Sequence, residues 1–277
     1  MKPRGLFRTV VLFALALAVV PALRAAGFPG LDRIGEIGRK AGEVADTAGK
    51  AGRVVKGATG LSLEEEIAIG DSVALEILNR YGGLWRDAAA THRVNLVGRA
   101  LARYATRQDL VWRFGLLNSD ALNAFSAPGG RVFITRGLYQ SLASDEELAG
   151  ALAHEIEHID RRHALKIIAR GELFGGVSDL VSDHSRDYAQ YEQVIGNITT
   201  GLFEHGFDPD TEFDADKHGR NLARTTGFAP GGLRAVITML QAKQAADKSR
   251  EVFSTHPPPA ERLKRLPKDP PPVPAPA

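Results

Sequence analysis

The sequence predicts an α+β protein that is mostly helical and contains one small antiparallel sheet. Long segments carry apolar residues at the three- and four-residue spacing of helices, and several of them begin with helix-capping residues. Three short segments between these helices have strand composition, and a Pro-Gly-Gly turn joins the last two. A hydrophobic fraction of 44% and a charged fraction of 25% are typical of a globular domain.

The first predicted elements are two helices and the three strands. Ser62-Leu63-Glu64-Glu65 has the pattern of a capping box, so we expect a helix from there to Arg80. A second helix is predicted at 88–106. The strands are predicted at 111–118, 122–126 and 131–135, with the turn at 127–130.

The second half of the chain is predicted to be helical. Ser144-Asp145-Glu146-Glu147 is another capping box, and no Pro or Gly interrupts the chain from Ala151 to Arg170, so we expect one helix that stops at Gly171. Residues 171–186 lack periodicity, which predicts a loop near the site. The remaining helices are predicted at 188–203, 209–226 and 230–246, followed by a short helix that contains Arg262.

Both ends of the chain differ from its middle. Residues 1–26 have a basic start, an apolar run of eleven residues and small residues, which predicts a signal peptide cleaved after Ala25 or Ala26 and export to the bacterial periplasm. An uncleaved anchor is the alternative, although the run is shorter than the roughly 20 residues of a membrane span. Residues 27–60 are predicted to be a Gly/Ala-rich, partly helical linker, 61–266 the main domain and 267–277 a disordered Pro-rich tail.

The charge balance argues against a nucleic-acid partner. The whole chain has 35 basic and 33 acidic residues, and four of the basic residues belong to the predicted leader. The remainder is slightly acidic, whereas nucleic-acid binding calls for a basic patch. The chain has no cysteine, which excludes disulfides and thiolate metal sites.

His154-Glu155-Ile156-Glu157-His158 is the motif that carries the chemistry. Two histidines four apart on a helix differ by about 40° in azimuth and about 6 Å along the axis, so they can hold one zinc ion. Glu155 can then reach a water on that metal as a general base. Glu157 lies about 100° from His158 and about 60° from His154 around the helix, and we expect a solvated side chain there rather than a ligand.

A third ligand has to come from elsewhere in the chain. Glu212 and Asp216 are four apart in a predicted helix and share one face. A carboxylate is a common third zinc ligand beside two histidines, and a second carboxylate can orient a ligand imidazole. A solvated acidic face is the alternative for this pair. The histidines that remain as candidates are His92, His163, His184, His205, His218 and His256.

An ordered series of motifs resembles the HtpX-type zinc metallopeptidases. This gluzincin family, with HExxH plus ExxxD, also holds the CAAX prenyl proteases and periplasmic quality-control proteases. The motifs span about Ser62 to Leu266 and are Asn123-Ala124-Phe125-Ser126-Ala127-Pro128-Gly129-Gly130, Ile134-Thr135-Arg136-Gly137-Leu138, Asp145-Glu146-Glu147-Leu148, His154 to His158 with Arg162-His163-Ala164, Glu212-Phe213-Asp214-Ala215-Asp216, and Ser254-Thr255-His256-Pro257. No membrane spans are predicted beyond the leader, so the sequence is similar to the soluble periplasmic branch.

The resemblance implies a zincin-type domain with one Zn²⁺ per chain. It implies His154, His158 and Glu212 as ligands, Glu155 as general base, and Asp216 beside the metal as a proton donor.

The resemblance also concerns the surroundings of the metal. It implies that a strand with Asn123, Ala124 and Phe125 borders the cleft and pairs with extended substrate. The resemblance to periplasmic members implies that His256 occupies the fourth zinc position and displaces water, so that the enzyme is latent until this loop moves; a helix-entry turn is the alternative for His256. Arg262 or Asp216 is expected to help hold the charge that develops in the transition state.

Two functions are therefore expected from the sequence. The first is zinc-dependent endopeptidase activity in the bacterial cell envelope, on misfolded or misassembled proteins. The second is a zinc-stabilised periplasmic chaperone or assembly factor that rarely cuts. Both imply unfolded or extended polypeptides as partners. Peripheral association with the envelope membrane or the outer-membrane assembly machinery is a further expectation, and nucleic acid is excluded.

Overall fold

The computed structural model describes residues 61–169, 200–201, 206–246 and 256–268, which all belong to one compact unit, Lys56–Ala277. The predicted signal peptide, the predicted linker at 27–60 and the predicted loop at 171–186 lie outside the described residues. So do most of the predicted helix at 188–203 and the tail from 269 onward. The elements in chain order are α1 (Leu63–Arg80), α2 (Ala88–Ala102), β1 (Arg113–Leu117), β2 (Ala124–Ala127), β3 (Arg131–Thr135), α3 (Arg136–Ser141), α4 (Asp145–Asp160), α5 (His163–Ala169), α6 (Pro209–Thr226), α7 (Gly232–Ala246) and α8 (Pro259–Arg265).

The α+β class is confirmed, and the predicted helix starts are explained by their caps. The Ser62 Oγ accepts a hydrogen bond from the Glu65 amide at 3.1 Å, while the Glu65 carboxylate accepts one from the Ser62 amide at 2.6 Å. This reciprocal pair is the capping box that the sequence predicted. Ser144 caps α4 with its Oγ, which accepts from the Glu147 amide at 3.2 Å, while the Glu147 carboxylate accepts from the Ala143 amide at 2.7 Å. Asp208 caps α6, with Pro209 in its first turn.

The sheet is mixed, so the prediction of an antiparallel sheet is wrong for one of its two strand pairs. The strand order is β1-β3-β2; β2 pairs with β3 antiparallel, whereas β1 pairs with β3 parallel. The reason lies in the connections. The tight turn at 128–130 folds β3 back onto β2, and β3 then occupies the position beside β1. Because β2 runs against β1, a strand that reverses again and lies between them must run parallel to β1. This arrangement leaves β2 at an edge of the sheet.

Helix α4 is the centre of the domain. It packs against α2, α6, α7 and strands β2 and β3. Every residue from Leu148 to Ile159 is buried, including the histidines and glutamates of the motif. Burial on all sides means that any polar side chain on α4 must find a partner inside the protein.

The predicted continuous helix to Arg170 is interrupted in the structure. Helix α4 ends at Asp160, Arg162 adopts a positive φ of 56°, and α5 starts at His163. No Gly or Pro marks this break, so nothing in the local sequence indicates it. Tertiary ion pairs provide the physical reason. Arg161 binds Asp214 on α6, and the Arg162 guanidinium lies 3.9 Å from buried Glu66 on α1.

The other departures are smaller. α2 ends at Ala102 rather than at 106, and a short helix α3 follows β3 where none was predicted. α3 begins with Thr135, whose hydroxyl accepts a hydrogen bond from the Leu138 amide at 3.3 Å. In the described part of the chain, no helix combines the length and apolar character needed to span a bilayer.

Candidate metal centre

The two motif histidines meet at one point inside the domain. The Nε2 atoms of His154 and His158 are 3.2 Å apart, and each residue is 3% exposed. Two tetrahedral zinc ligands at about 2.0–2.1 Å from the ion have nitrogens roughly 3.3 Å apart. The helix spacing thus produces the separation that a shared ion requires.

Glu212 faces the two histidines from α6. Its Oε2 lies 3.5 Å from His154 Nε2, its Oε1 lies 3.5 Å from His158 Nε2, and the side chain is fully buried. The helices can approach this closely because Gly219 has no side chain; a Cβ there would lie 2.8 Å from the His154 amide nitrogen. Of the candidates for the third ligand, the structure brings the carboxylate of Glu212 into the cluster.

His256 approaches the same point from the segment before α8. Its Nδ1 lies 2.6 Å from Glu212 Oε2, and its Nε2 lies 4.0 Å from Glu155 Oε1. One ligand atom from each of His154, His158, Glu212 and His256 lies within 4.8 Å of the others. His256 therefore completes a set of four donor atoms.

The donor set fits a zinc ion. Among the described residues, Glu212 Oε1 is a buried carboxylate oxygen with no hydrogen-bond partner, which is costly unless a cation satisfies it. Burial raises the pKa of Glu212, but the facing imidazoles, His256 first, hold that pKa well below its usual range, so the carboxylate is ionised. Burial also lowers the pKa of His158 well below its usual value, which keeps that imidazole neutral. An anionic oxygen and neutral imidazoles are the forms that ligate zinc.

His154 is held on its other side by Asp216. Its Nδ1 lies 2.9 Å from Asp216 Oδ1, so an Nδ1–H donating to the carboxylate leaves Nε2 free to face the cluster. Burial and Arg262 lower the pKa of His154, but hydrogen bonds to Asp216 and Glu212 raise it to about 9. Metal binding at Nε2 therefore has to displace a proton.

Arg262 on α8 is paired with Asp216. Its Nε donates to Oδ2 at 2.9 Å and its Nη2 donates to Oδ1 at 2.5 Å, and both residues are almost fully buried. Burial raises the pKa of Asp216, but the Arg262 guanidinium more than offsets this and holds it well below its usual range. The sequence placed Arg262 near the site; the structure shows it bound to a carboxylate behind His154.

A second chain of contacts, which the sequence did not predict, supports His158. Its Nδ1 lies 3.0 Å from His163 Nδ1, and His163 Nε2 lies 3.3 Å from Asp214 Oδ2. Burial lowers the pKa of His163 to about 4, so this imidazole is neutral and can accept from His158 while donating to Asp214. Arg161 binds the same carboxylate. Asp214 could have been suspected from the sequence, because it lies between Glu212 and Asp216. The turn that brings His163 back to His158 contains no residue that predicts a turn.

His163→Ala is expected to lower zinc affinity about 10–100-fold, because His158 loses the partner that orients its ring. Competition with a chromogenic zinc chelator measures this. His92→Ala is the matched control, since His92 is exposed on α2. Unchanged affinity in a folded His163→Ala protein would limit His163 to a packing role.

Glu157 differs from its prediction. It is outside the group that could hold a metal, as expected, but it is 7% exposed rather than solvated. Burial and the nearby Asp160 raise its pKa to about 7. The position of Glu157 around the helix led to the prediction that it is not a ligand. Its burial depends on the tertiary packing around α4, which the sequence does not show. His218, another histidine candidate, lies outside the cluster and has its Nε2 3.5 Å from Asp214 Oδ1.

Glu155 and the predicted substrate strand border the same space. Glu155, 3% exposed, follows His154 on α4 and lines a cleft with Asn123 and Ala124 at the start of β2. β2 is an edge strand that lies beside α4. The structure therefore brings together the motif glutamate, the metal cluster and the strand that contains Ala124 and Phe125.

A helix-borne HExxH pair, a carboxylate from a second helix and an edge strand define the site of a metallopeptidase of the zincin class. Residues 88–269 match the family described as Peptidase family M48, and the chain belongs to this family of zinc metallopeptidases. The chain is 28% identical over 222 residues to the "Beta-barrel assembly-enhancing protease" of Yersinia pestis, covering 75% of this chain and 44% of that protein. It is 25% identical over 240 residues to the protein of the same name from Escherichia coli strain K12, covering 83% and 48%.

The chain is also similar to a mitochondrial protein. The chain is 26% identical over 215 residues to "Mitochondrial metalloendopeptidase OMA1" of Schizosaccharomyces pombe, covering 74% of this chain and 61% of that protein. The chain spans about half the length of the beta-barrel assembly-enhancing proteases that it matches.

Proposed function

We propose that this chain is a zinc-dependent endopeptidase of the bacterial cell envelope that degrades or processes misfolded or misassembled proteins. The observation that carries the proposal is the position of Glu155. It follows a histidine of the metal cluster on α4 and lines the cleft that begins at edge strand β2. A purely structural zinc site has no use for a buried carboxylate in that place.

His154, His158 and Glu212 hold the zinc ion in this proposal. Zinc, when bound, supplies a Lewis acid that polarises the scissile carbonyl and lowers the pKa of a coordinated water to about 7. Glu155 accepts the proton of the attacking water and delivers it to the leaving amine.

Asp216 and Arg262 have positioning roles. The ionised Asp216 carboxylate, with its pKa held low by Arg262, has no proton to donate at neutral pH. It instead fixes the ring of His154 through Nδ1. Because both hydrogen bonds from Arg262 to Asp216 are already made behind His154, we propose that Arg262 stabilises that carboxylate rather than the developing charge of the transition state.

The substrate lies along β2. An extended polypeptide can pair with an edge strand through its backbone, whatever its sequence. β2 is an edge strand, and Asn123 and Ala124 at its start line the cleft with His154 and Glu155, while Phe125 follows in the same strand. Backbone pairing requires an unfolded or extended segment, which favours misfolded or incompletely assembled proteins as substrates.

The proposed compartment and partners are inferred from the predicted signal peptide and from the named relatives. Residues 1–26 have the pattern of a signal peptide, and two relatives are named for beta-barrel assembly. We therefore place the chain in the periplasm, acting on outer-membrane proteins during assembly, with peripheral association to the assembly machinery or the membrane.

A chaperone or assembly factor is the second candidate, and the position of His256 favours it. Its imidazole contacts Glu212 and faces Glu155, where water and substrate would otherwise lie. A protein that held this arrangement permanently would bind extended chains without cutting them. A chaperone keeps its cellular function in a Glu155→Gln variant, whereas a protease loses it.

The zinc assignment predicts one zinc ion per chain in the purified protein, measured by mass spectrometry of the metal content. Chelation is expected to abolish cleavage of an unfolded protein such as casein, and zinc is expected to restore it. Glu212→Ala removes a buried anionic ligand and should lower the zinc content under the same conditions. Cleavage that persists in the zinc-free protein would refute the proposed reaction.

A further inference from the structure

A buried ion pair links α1 to the segment between α2 and β1. Glu66, in the first turn of α1, is 2% exposed, and Arg107 is 8% exposed. Arg107 Nη1 donates to Glu66 Oε1 at 3.1 Å, and its Nη2 donates to Oε2 at 3.0 Å. A buried pair of this kind contributes little net stability compared with apolar residues of similar volume. What a bidentate pair adds is direction, because it fixes both side chains in one relative orientation.

Arg107 is also bound to the end of the metal helix α4. Asp160, the last residue of α4, accepts hydrogen bonds from the Thr106 amide at 2.8 Å and from the Arg107 amide at 2.7 Å. The Arg107 guanidinium is steadied further by Asp109, which accepts from its Nε at 2.9 Å. The backbone of Arg107 therefore holds the end of α4, while its side chain holds α1.

The Glu66 carboxylate is bound to the turn that follows strand β2. The Gly129 amide in this turn donates to Glu66 Oε1 at 3.2 Å. α1 lies against the turn so closely that a Cβ at Gly70 would be 1.8 Å from the Pro128 carbonyl oxygen. A continuous series of hydrogen bonds thus runs from the end of β2 through Glu66 and Arg107 to the end of α4.

The same carboxylate borders a small cavity behind His158, a proposed zinc ligand. The Arg162 guanidinium lies 3.9 Å from Glu66 Oε2 at one side of this cavity. The volume is only about 10 Å³, so the walls are nearly in contact. The walls come from α1, the end of β2, α4 and the segment after α4, and they include Glu66, Ser126, Ala127, Pro128, His158 and Arg162. A displaced Glu66 side chain would therefore disturb both β2 and His158.

We infer that Glu66 is a positioning residue, which keeps β2 in register with the metal helix α4 through Arg107. The inference rests on the proposed function, in which extended substrate pairs with β2 and is cut at the metal on α4. Apolar packing between β2 and α4 has no preferred direction, whereas hydrogen bonds to a fixed carboxylate do. A shift of about 1 Å between the strand and the metal would misplace the scissile bond and lower the rate about 10²-fold.

Two peptide substrates of different length test the inference, because only a substrate that pairs with β2 depends on its register. One has about eight residues, enough to pair along a strand. The other is the shortest truncation of it that is still cleaved. In Glu66→Gln the new amide nitrogen faces a guanidinium nitrogen, so the bidentate pair is lost. We expect the ratio of kcat/KM for the long over the short peptide to fall about tenfold or more, with zinc content unchanged.

The ratio separates positioning from a loss of folded protein, which would lower both rates equally. Glu76→Gln is the matched control, since Glu76 is an exposed glutamate on the same helix, and its ratio should equal that of the wild type.

A second variant removes the ion pair while preserving stability. Glu66→Met combined with Arg107→Met replaces the pair with apolar residues and is expected to keep the wild-type Tm. The ratio should still fall, because the packing that remains has no fixed direction. An unchanged ratio in either folded variant overturns the inference and leaves the proposed peptidase standing. Loss of folding in both variants would show that the pair serves stability, and would overturn it as well.

Hydrogen exchange separates a failure of this inference from a failure of the proposed function. If the wild-type and His256→Ala proteins cleave no peptide, the proposed function fails, but the hold on β2 can still be measured. Exchange of the amides at 124–131 is expected to rise about tenfold or more in the folded double variant and to stay unchanged in Glu76→Gln. Such a rise supports the positioning of β2 by Glu66, whereas unchanged exchange in the double variant overturns it.

Discussion

Glu155→Gln is expected to abolish peptide hydrolysis while the protein keeps its zinc. The amide retains the shape of the side chain but cannot accept a proton from water, so the loss of general-base catalysis should lower kcat about 10²–10⁴-fold. Zinc content should not change, because Glu155 lies outside the group of His154, His158, Glu212 and His256. The measurement is the rate of cleavage of a quenched fluorescent peptide together with the zinc content of the same sample.

Glu157→Gln is the matched control for this substitution. Glu157 is a buried glutamate two residues further along α4, and it lies outside the group that could hold the metal. The same replacement of a carboxylate by an amide in the same helix should leave hydrolysis within a few-fold of the wild type. If Glu155→Gln still cleaves at the wild-type rate, Glu155 is not the base and the mechanism fails.

His256→Ala is expected to raise peptidase activity. In the structure His256 Nδ1 lies 2.6 Å from Glu212 Oε2 and the ring faces Glu155, so it occupies the fourth side of the metal cluster. If only the fraction of molecules with His256 displaced can react, removing the imidazole makes every molecule competent. A resting enzyme with one molecule in ten open would gain about tenfold in rate. Three ligands remain in His256→Ala, so the zinc content should stay at one ion per chain.

Two further variants determine whether such a gain comes from the same site. His256→Ala combined with Glu155→Gln should be inactive, because the released site still needs its base. His92→Ala, an exposed histidine on α2, should leave the rate unchanged. An unchanged or lower rate in His256→Ala would show that His256 does not hold the enzyme in a latent state.

The elements that could be predicted were those with local causes. The capping sequences at Ser62 and Ser144 mark the starts of α1 and α4, because in both helices the serine hydroxyl accepts from an amide of the first turn. The spacing of His154 and His158 placed both rings on one face of α4. These features need only the covalent chain and the geometry of one helix.

The features that could not be predicted depend on contacts between distant residues. The break at Arg162 has no helix-breaking residue, and it is held by Arg161 binding Asp214 and by Arg162 lying near Glu66. That break is what brings His163 back to His158. The parallel pairing of β1 with β3 likewise depends on which strand fills the middle of the sheet.

The sequence by itself determined the α+β class, the metal-binding pair on one helix and the glutamate beside it, because periodicity and short motifs carry that information. Only the tertiary structure decided how the other groups meet them. It brought Glu212 to within 3.5 Å of both histidines, paired Arg262 with Asp216 and placed His256 beside Glu212. These residues are separated from the motif by more than fifty positions, so their place at the metal is set by how α6 and α8 pack on α4 and not by any local pattern.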